Sequence, residues 1–206
     1  VSAAGKAILL EAGLVVDGSG DPAWTGDLLL RGARIAALGV DLRARLPDGL
    51  TPSDVERVDC RARVIAPGFI DAHTHDDASV LHDPLCLPKL SQGITTVVTG
   101  NCGISLAPYR TPRAGPPLTL LGAQAFEYAS MAAYRAAVDA ARPALNVAAL
   151  VGHTTLRYAS MQALDRAASA DELARMQALL DDCMADGAHG MSSGLFYAEA
   201  FAAPAE

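Results

Sequence analysis

Hydrophobic residues follow two rhythms along this chain. Up to about residue 63, short apolar runs dominate: Ile8-Leu9-Leu10, Leu14-Val15-Val16, Leu28-Leu29-Leu30 and Ile35-Ala36-Ala37-Leu38. Turn signals punctuate them, notably Asp17-Gly18-Ser19-Gly20-Asp21-Pro22 and Arg31-Gly32. Short β-type runs between such punctuators predict a small sheet or sandwich. A polar connection at 46–52 follows, and Val55-Glu56-Arg57-Val58-Asp59-Cys60 resumes the alternation. These strands carry no catalytic grouping.

From residue 64 strands alternate with helical stretches, the pattern of parallel βα units. Four strands are expected. The first is a buried strand formed by Val64-Ile65-Ala66 and Phe69-Ile70, interrupted by Pro67-Gly68; the second is Ile94–Thr99. The third runs from Leu145 to Val151 and the fourth is short, Gly190–Ser193. Between the last two, Ser169-Ala170-Asp171-Glu172 matches a capping box, and Leu173, Met176, Leu179, Leu180 and Cys183 recur at helical spacing up to a stop at Gly187. Another helix is expected near Met131–Ala141. Residues 106–122, with four prolines and two glycines, predict an irregular loop. The expected organisation is α/β, with a β-rich region over 1–63 and βα units over 64–206.

Composition narrows the classes. The 206 residues are 51% hydrophobic, enough for a sizeable core, and the net charge of −7 disfavours nucleic-acid binding. No apolar run approaches a membrane span of about 20 residues. Val1-Ser2-Ala3 lacks the basic start of a secretory signal. The four cysteines, Cys60, Cys86, Cys102 and Cys183, show no CxxC spacing, which favours a reducing cytoplasm. Cys60, Cys86 and Cys183 read as buried hydrophobes.

Chemistry-bearing residues gather where the strands end. His73-x-His75 places two imidazoles two residues apart, on the same side of an extended strand, where they can share a metal ion such as zinc. Asp71, Asp76 and Asp77 would add negative potential. Asn101-Cys102-Gly103 ends the second strand, His153-Thr154-Thr155 the third and Ser192-Ser193 the fourth. By spacing alone Cys102 is open to three roles: zinc ligand, inert buried thiol or nucleophile.

The block Gly68-Phe69-Ile70-Asp71-Ala72-His73-Thr74-His75 resembles the first-strand signature of the amidohydrolase superfamily. With Gln92–Gly103, Val151-Gly152-His153-Thr154-Thr155-Leu156-Arg157 and Gly190–Tyr197, it resembles the N-acyl-D-amino-acid deacylase, or D-aminoacylase, family. Leu14–Gly20 and Gly32–Leu38 resemble that family's opening β region. The resemblance implies the first half of a (β/α)8 barrel of the TIM type, preceded by a small N-terminal β-sandwich region. It implies zinc-dependent hydrolysis of a small-molecule N-acyl-D-amino acid to a carboxylate and a D-amino acid. His73 and His75 match the family's first-strand ligands, and Cys102 matches its zinc-binding cysteine. One tightly bound zinc and a second, weaker site are implied, with water made nucleophilic by the cation.

The family completes its site with later histidines and a general acid/base aspartate, which are expected beyond Glu206. The 206-residue segment is therefore expected to be inactive alone, with an open barrel edge that associates with the missing half or with itself. The alternatives are a dihydroorotase- or hydantoinase-like cyclic amide hydrolase, disfavoured by Cys102, and a non-catalytic metal-binding or assembly fragment. His82 and His189 read as solvated or structural. His153, Phe196 and Tyr197 are candidate substrate contacts. Ser192 and Ser193 lack a nucleophile elbow and read as packing or substrate hydrogen bonding.

Overall fold

A computed structural model describes residues 6–122 and 125–203; Val1-Ser2-Ala3 and Pro204-Ala205-Glu206 lie outside the described residues. The chain divides into two units, residues 1–67 and 68–206.

In the first unit, β1 (Ala7–Val15), β2 (Trp24–Arg31), β3 (Arg34–Gly39), β4 (Val55–Asp59) and β5 (Val64–Ile65) form one mixed sheet. The order is β3-β2-β1-β4, and β5 continues along β1 beyond β4. The apolar runs at 8–10 and 14–16 thus belong to a single strand. Their separation in the sequence is a β-bulge: Ala12 has φ 56°, and the register against β2 shifts between Leu10 and Gly13. The buried carboxylate of Asp27 secures the bulge by accepting the Ala12 N–H at 2.7 Å, while its second oxygen accepts the Leu42 N–H at 2.9 Å. Leu9, Leu29, Leu42 and Val55 pack in one apolar cluster, and Val15, Cys60 and Ile65 in another with Leu10 and Trp24. Among the described residues of this unit the strands make one sheet.

The second unit follows the βα rhythm. Its elements are β6 (Phe69–Asp71), α1 (Ser79–His82), α2 (Leu87–Leu90), β7 (Ile94–Thr99), β8 (Tyr109–Thr111), β9 (Phe126–Tyr128), α3 (Met131–Ala141), β10 (Asn146–Ala149), β11 (Val151–Gly152), α4 (His153–Ser160), α5 (Ala170–Ala185) and β12 (Met191–Ser192). β6, β7 and β10 lie side by side in parallel, as do β11 and β12; β8 and β9 form a small antiparallel ribbon.

Two strand expectations are corrected. Val64–Ile65 pairs with β1 while Phe69–Asp71 pairs with β7, so the run across Pro67-Gly68 is two strands in two sheets. Proline cannot donate to a ladder, and the chain changes partners around it. Phe69 and Ile70 are not buried; they are 62% and 64% exposed on the edge strand of their sheet. The third strand also changes partners. Leu150 N–H donates to Thr99 O at 3.0 Å, and Val151 N–H donates to Gly190 O at 2.9 Å, which passes the pairing from β7 to β12.

Residues 106–122 are mostly irregular, yet they are core: Leu106, Ala107, Ala114, Leu118 and Leu121 are buried with Ile104, Phe126, Met131, Tyr134, Val151, Leu156, Met176 and Cys183. In α5 the capping box is present in both directions, with Glu172 N–H donating to Ser169 Oγ at 3.3 Å and Ser169 N–H to the Glu172 carboxylate at 2.9 Å. Arg166 also pairs with Glu172 at 2.6 Å, and this bond chiefly holds the Glu172 carboxyl below its ordinary 4.5. Its folded pKa is depressed, so the pair contributes fully above pH 4.5 and is lost as the pH falls toward the folded value. Ser169→Ala is expected to cost about 1 kcal/mol of stability in denaturant unfolding. Glu172→Gln should flatten the loss of stability below pH 4.5, measured as unfolding midpoints across acid pH.

Candidate metal centre

β6 ends at Asp71 and the chain bends at His73; His73 is exposed, Thr74 is buried and His75 is half-buried. The two imidazoles lie at 5.9 Å between centroids with planes at 77°. Cys102 reaches them from the loop after β7, its Sγ 2.9 Å from His73 Nε2. One donor atom from each of His73, His75 and Cys102 lies within 4.8 Å of the others, the one such cluster among the described residues. Donors around a tetrahedral zinc stand about 3.5 Å apart, and imidazole with thiolate is a zinc donor set. His75 Nδ1 is buried without a hydrogen-bond partner. Burial first, then the neighbouring His73, holds the His75 imidazole below the ordinary 6.5, in the neutral form a metal requires. The three residues fit a metal ion.

The loop that presents Cys102 is held from several sides. Cys102 itself has φ 55°, a conformation uncommon outside glycine. Gly100 has φ 77°, and a Cβ there would stand 2.1 Å from Leu150 O. Asn101 donates its side-chain amide to Val98 O at 2.7 Å and to Thr74 O at 3.3 Å, tying the cysteine loop to the histidine segment. Thr154 N–H donates to Gly103 O at 2.8 Å from the first turn of α4. Ser192 Oγ donates to Gly100 O and accepts the Gly103 N–H at 2.9 Å, so one hydroxyl from β12 brackets the cysteine. Ser192 therefore acts through packing and backbone hydrogen bonding. Gly194 completes the contact, since a Cβ there would stand 2.0 Å from Cys102 O.

The three aspartates behave differently from a bare negative cluster. Asp71 and Asp76 are both paired with Lys89 Nζ, at 2.6 and 3.0 Å. The Lys89 hydrogen bond is the main cause of the Asp71 carboxyl lying below its usual 3.8. Asp77 is 1% exposed, accepts the Gly100 N–H at 3.3 Å and is pushed up to about 7, chiefly by burial. Two charges are thus compensated and the third is suppressed.

The remaining candidates are spread around the site. His153 is buried as the first residue of α4, next to the Thr154 that binds Gly103. Tyr197 is half-buried with its ring beside Gly194, and burial above all raises its pKa beyond 10.0. Phe196 is 93% exposed. His82 and His189 are exposed, away from the cluster. Cys60, Cys86 and Cys183 are buried free thiols.

Sequence reasoning singled out neither Lys89 nor Arg157, and it marked Asn101 and Ser192 at strand ends without their partners. The Arg157 side chain is fully buried and donates to Glu199 O, Leu164 O and Arg166 O at 3.0, 2.9 and 2.8 Å, which holds the segment after β12 that carries Tyr197. Of Lys89 and Arg157, Arg157 left a sequence signal, a charge in a largely apolar and hydroxyl-rich stretch.

Comparison with known proteins gives the family. Residues 56–206 match the model of the amidohydrolase family. The chain is 48% identical over 199 residues to an N-acyl-D-aspartate deacylase of Alcaligenes xylosoxydans xylosoxydans, covering 96% of this chain and 38% of that protein. A structure of D-aminoacylase, described with a binuclear metal centre, superposes with a TM-score of 0.88 at 48% identity, covering 95% of this chain and 40% of the other. An N-acyl-D-glutamate deacylase from Bordetella bronchiseptica, complexed with zinc and a phosphonate inhibitor, superposes with a TM-score of 0.85 at 42% identity, over 97% and 40% of the two chains. The chain therefore spans 38–40% of the length of these relatives. With the match extending over most of its residues, the chain belongs to the amidohydrolase family.

Proposed function

We propose that the full-length protein hydrolyses N-acyl-D-amino acids to a carboxylate and a free D-amino acid, using zinc held by His73, His75 and Cys102. The carrying observation is the convergence of those three donors within 4.8 Å. The likeness to deacylases of N-acyl-D-aspartate and N-acyl-D-glutamate supports the substrate class. In this reading the parallel strands β6, β7, β10–β11 and β12 are the first four of a (β/α)8 barrel, and the site lies at their C-terminal ends. The N-terminal sheet is one layer of a sandwich, its exposed Ile35 and Leu38 awaiting the other layer. One tight zinc site and a second, weaker one are proposed; the D-aminoacylase structure with a binuclear centre supports the pair. When bound, the cation polarises the amide carbonyl and lowers the pKa of water.

The chain's own residues prepare the site. His75 is kept neutral, Cys102 is held in place by the Asn101 and Ser192 hydrogen bonds, and Tyr197, packed beside Gly194, contributes a substrate contact. His153 contributes substrate contact or orientation, and Phe196 an apolar contact from the adjoining turn. Residues 1–206 span 38–40% of the length of these deacylases, so the activity is proposed for the full-length protein. The open edge at the exposed Phe69 and Ile70 would receive the rest of the barrel or a second copy. A cytoplasmic location is supported by the four free cysteines.

Paired assays on N-acetyl-D- and N-acetyl-L-amino acids should show turnover of the D series by the full-length protein; equal rates on both would overturn the substrate assignment. Zinc analysis should find less bound metal in Cys102→Ala than in wild type, with His82→Ala unchanged. Full zinc content in Cys102→Ala would remove that residue from the ligand set. Purified residues 1–206 should show little or no deacylation, tested by amine release.

A further inference from the structure

Lys89, in the short helix α2, takes no part in the chemistry above, yet it holds three residues of the histidine segment. Its ammonium lies 2.6 Å from Asp71 Oδ2, 3.1 Å from Thr74 Oγ1 and 3.0 Å from Asp76 Oδ2. Those three residues interleave with the histidines: one before His73, one between His73 and His75, one directly after. Asp71 also passes the constraint to the backbone, since its other oxygen accepts the His73 N–H at 3.2 Å. Lys89, Asp71 and Asp76 side chains are each only about a quarter exposed, at 24%, 24% and 26%. Such a clamp is better shielded from solvent than an ordinary surface pair.

We infer that Lys89 is a positioning residue for metal capture, fastening His73-x-His75 in donor geometry while remaining outside the donor set. The inference rests on the metal-centre reading above. Two effects of the ammonium on a nearby metal cation have opposite signs. As a charge it repels the cation and neutralises two carboxylates that would attract it, so its removal should tighten metal binding. As a clamp it orders the donors before the metal arrives, so its removal should weaken binding. The sign of the change separates the two.

Zinc affinity of the full-length protein, measured by competition with a chromophoric chelator, tests this. Lys89→Met is expected to weaken zinc binding by about 10–100-fold, the range seen when groups that orient metal ligands are removed. Lys89→Arg, which keeps a cation able to bridge carboxylates, should recover part of the loss. With cobalt in place of zinc, the visible ligand-field band per bound ion should change in Lys89→Met and return toward wild type in Lys89→Arg. Unchanged or tighter zinc binding by Lys89→Met overturns the inference. Should Lys89→Met fail to fold, as judged by the unfolding transition of the metal-free protein, Thr74→Val decides. It removes one arm of the clamp without altering charge, so weaker zinc binding supports positioning and wild-type affinity overturns it. Absence of zinc binding by the wild type would instead refute the metal-centre reading itself, a result distinct from either.

Discussion

Cys102 can face the two histidines only because the loop after β7 leaves the extended conformation, with Gly100, Cys102 and Gly103 all at positive φ. That conformation is not stable by itself, because the loop forgoes the ladder hydrogen bonds of the strand it follows. Its polar groups are satisfied instead by elements distant in sequence: Asn101 reaches back to Thr74, α4 supplies the Thr154 N–H to Gly103 O, and β12 supplies the Ser192 hydroxyl. The approach is backbone against backbone, which is why Gly194 cannot carry a side chain where it meets Cys102 O. The cluster of His73, His75 and Cys102 is therefore held by segments after β6, β7 and β11 together with β12, and no single one of them forms it.

The electrostatics follow from the same crowding. An acidic stretch around two histidines would ordinarily attract any divalent cation at the surface. Here Lys89 takes up Asp71 and Asp76, and burial raises Asp77 toward neutrality while its carboxylate caps the Gly100 N–H. What is left facing the cluster is a mixed nitrogen and sulfur donor set, suited to zinc and its neighbours more than to oxygen-seeking ions. The buried Arg157 serves a comparable end on the other side: its donors satisfy three carbonyls of irregular backbone, the kind of segment that would otherwise leave acceptors unpaired.

Much of this was legible from residue order. The helix at 170–185 was readable because its signals are local: a capping box, an apolar stripe and a stop residue. β7 was readable because a β-branched run between two glycines admits few alternatives. His73, His75 and Cys102 were legible as chemistry because each stands where a strand ends. The misreadings share one cause. The bulge at Ala12, the partner change at Pro67 and the transfer of pairing at Leu150 are all decisions about which strand lies alongside, and that depends on distant residues such as Asp27, Thr99 and Gly190. Phe69 and Ile70 read as buried because apolar runs usually are, yet they belong to an edge strand.

The sequence by itself determined the βα rhythm, the long helices and the types of donor available, since these rest on propensity, period and side-chain chemistry carried within a few residues. Only the tertiary structure decided that Lys89 grips the histidine segment, that the Ser192 hydroxyl binds Gly100 and Gly103 on either side of the cysteine, and that Asp77 is buried against Gly100. Each of these is a contact between residues roughly 10–90 positions apart. Such contacts are set by the register of parallel strands and the packing of glycine backbones, neither of which leaves a periodic trace in the chain.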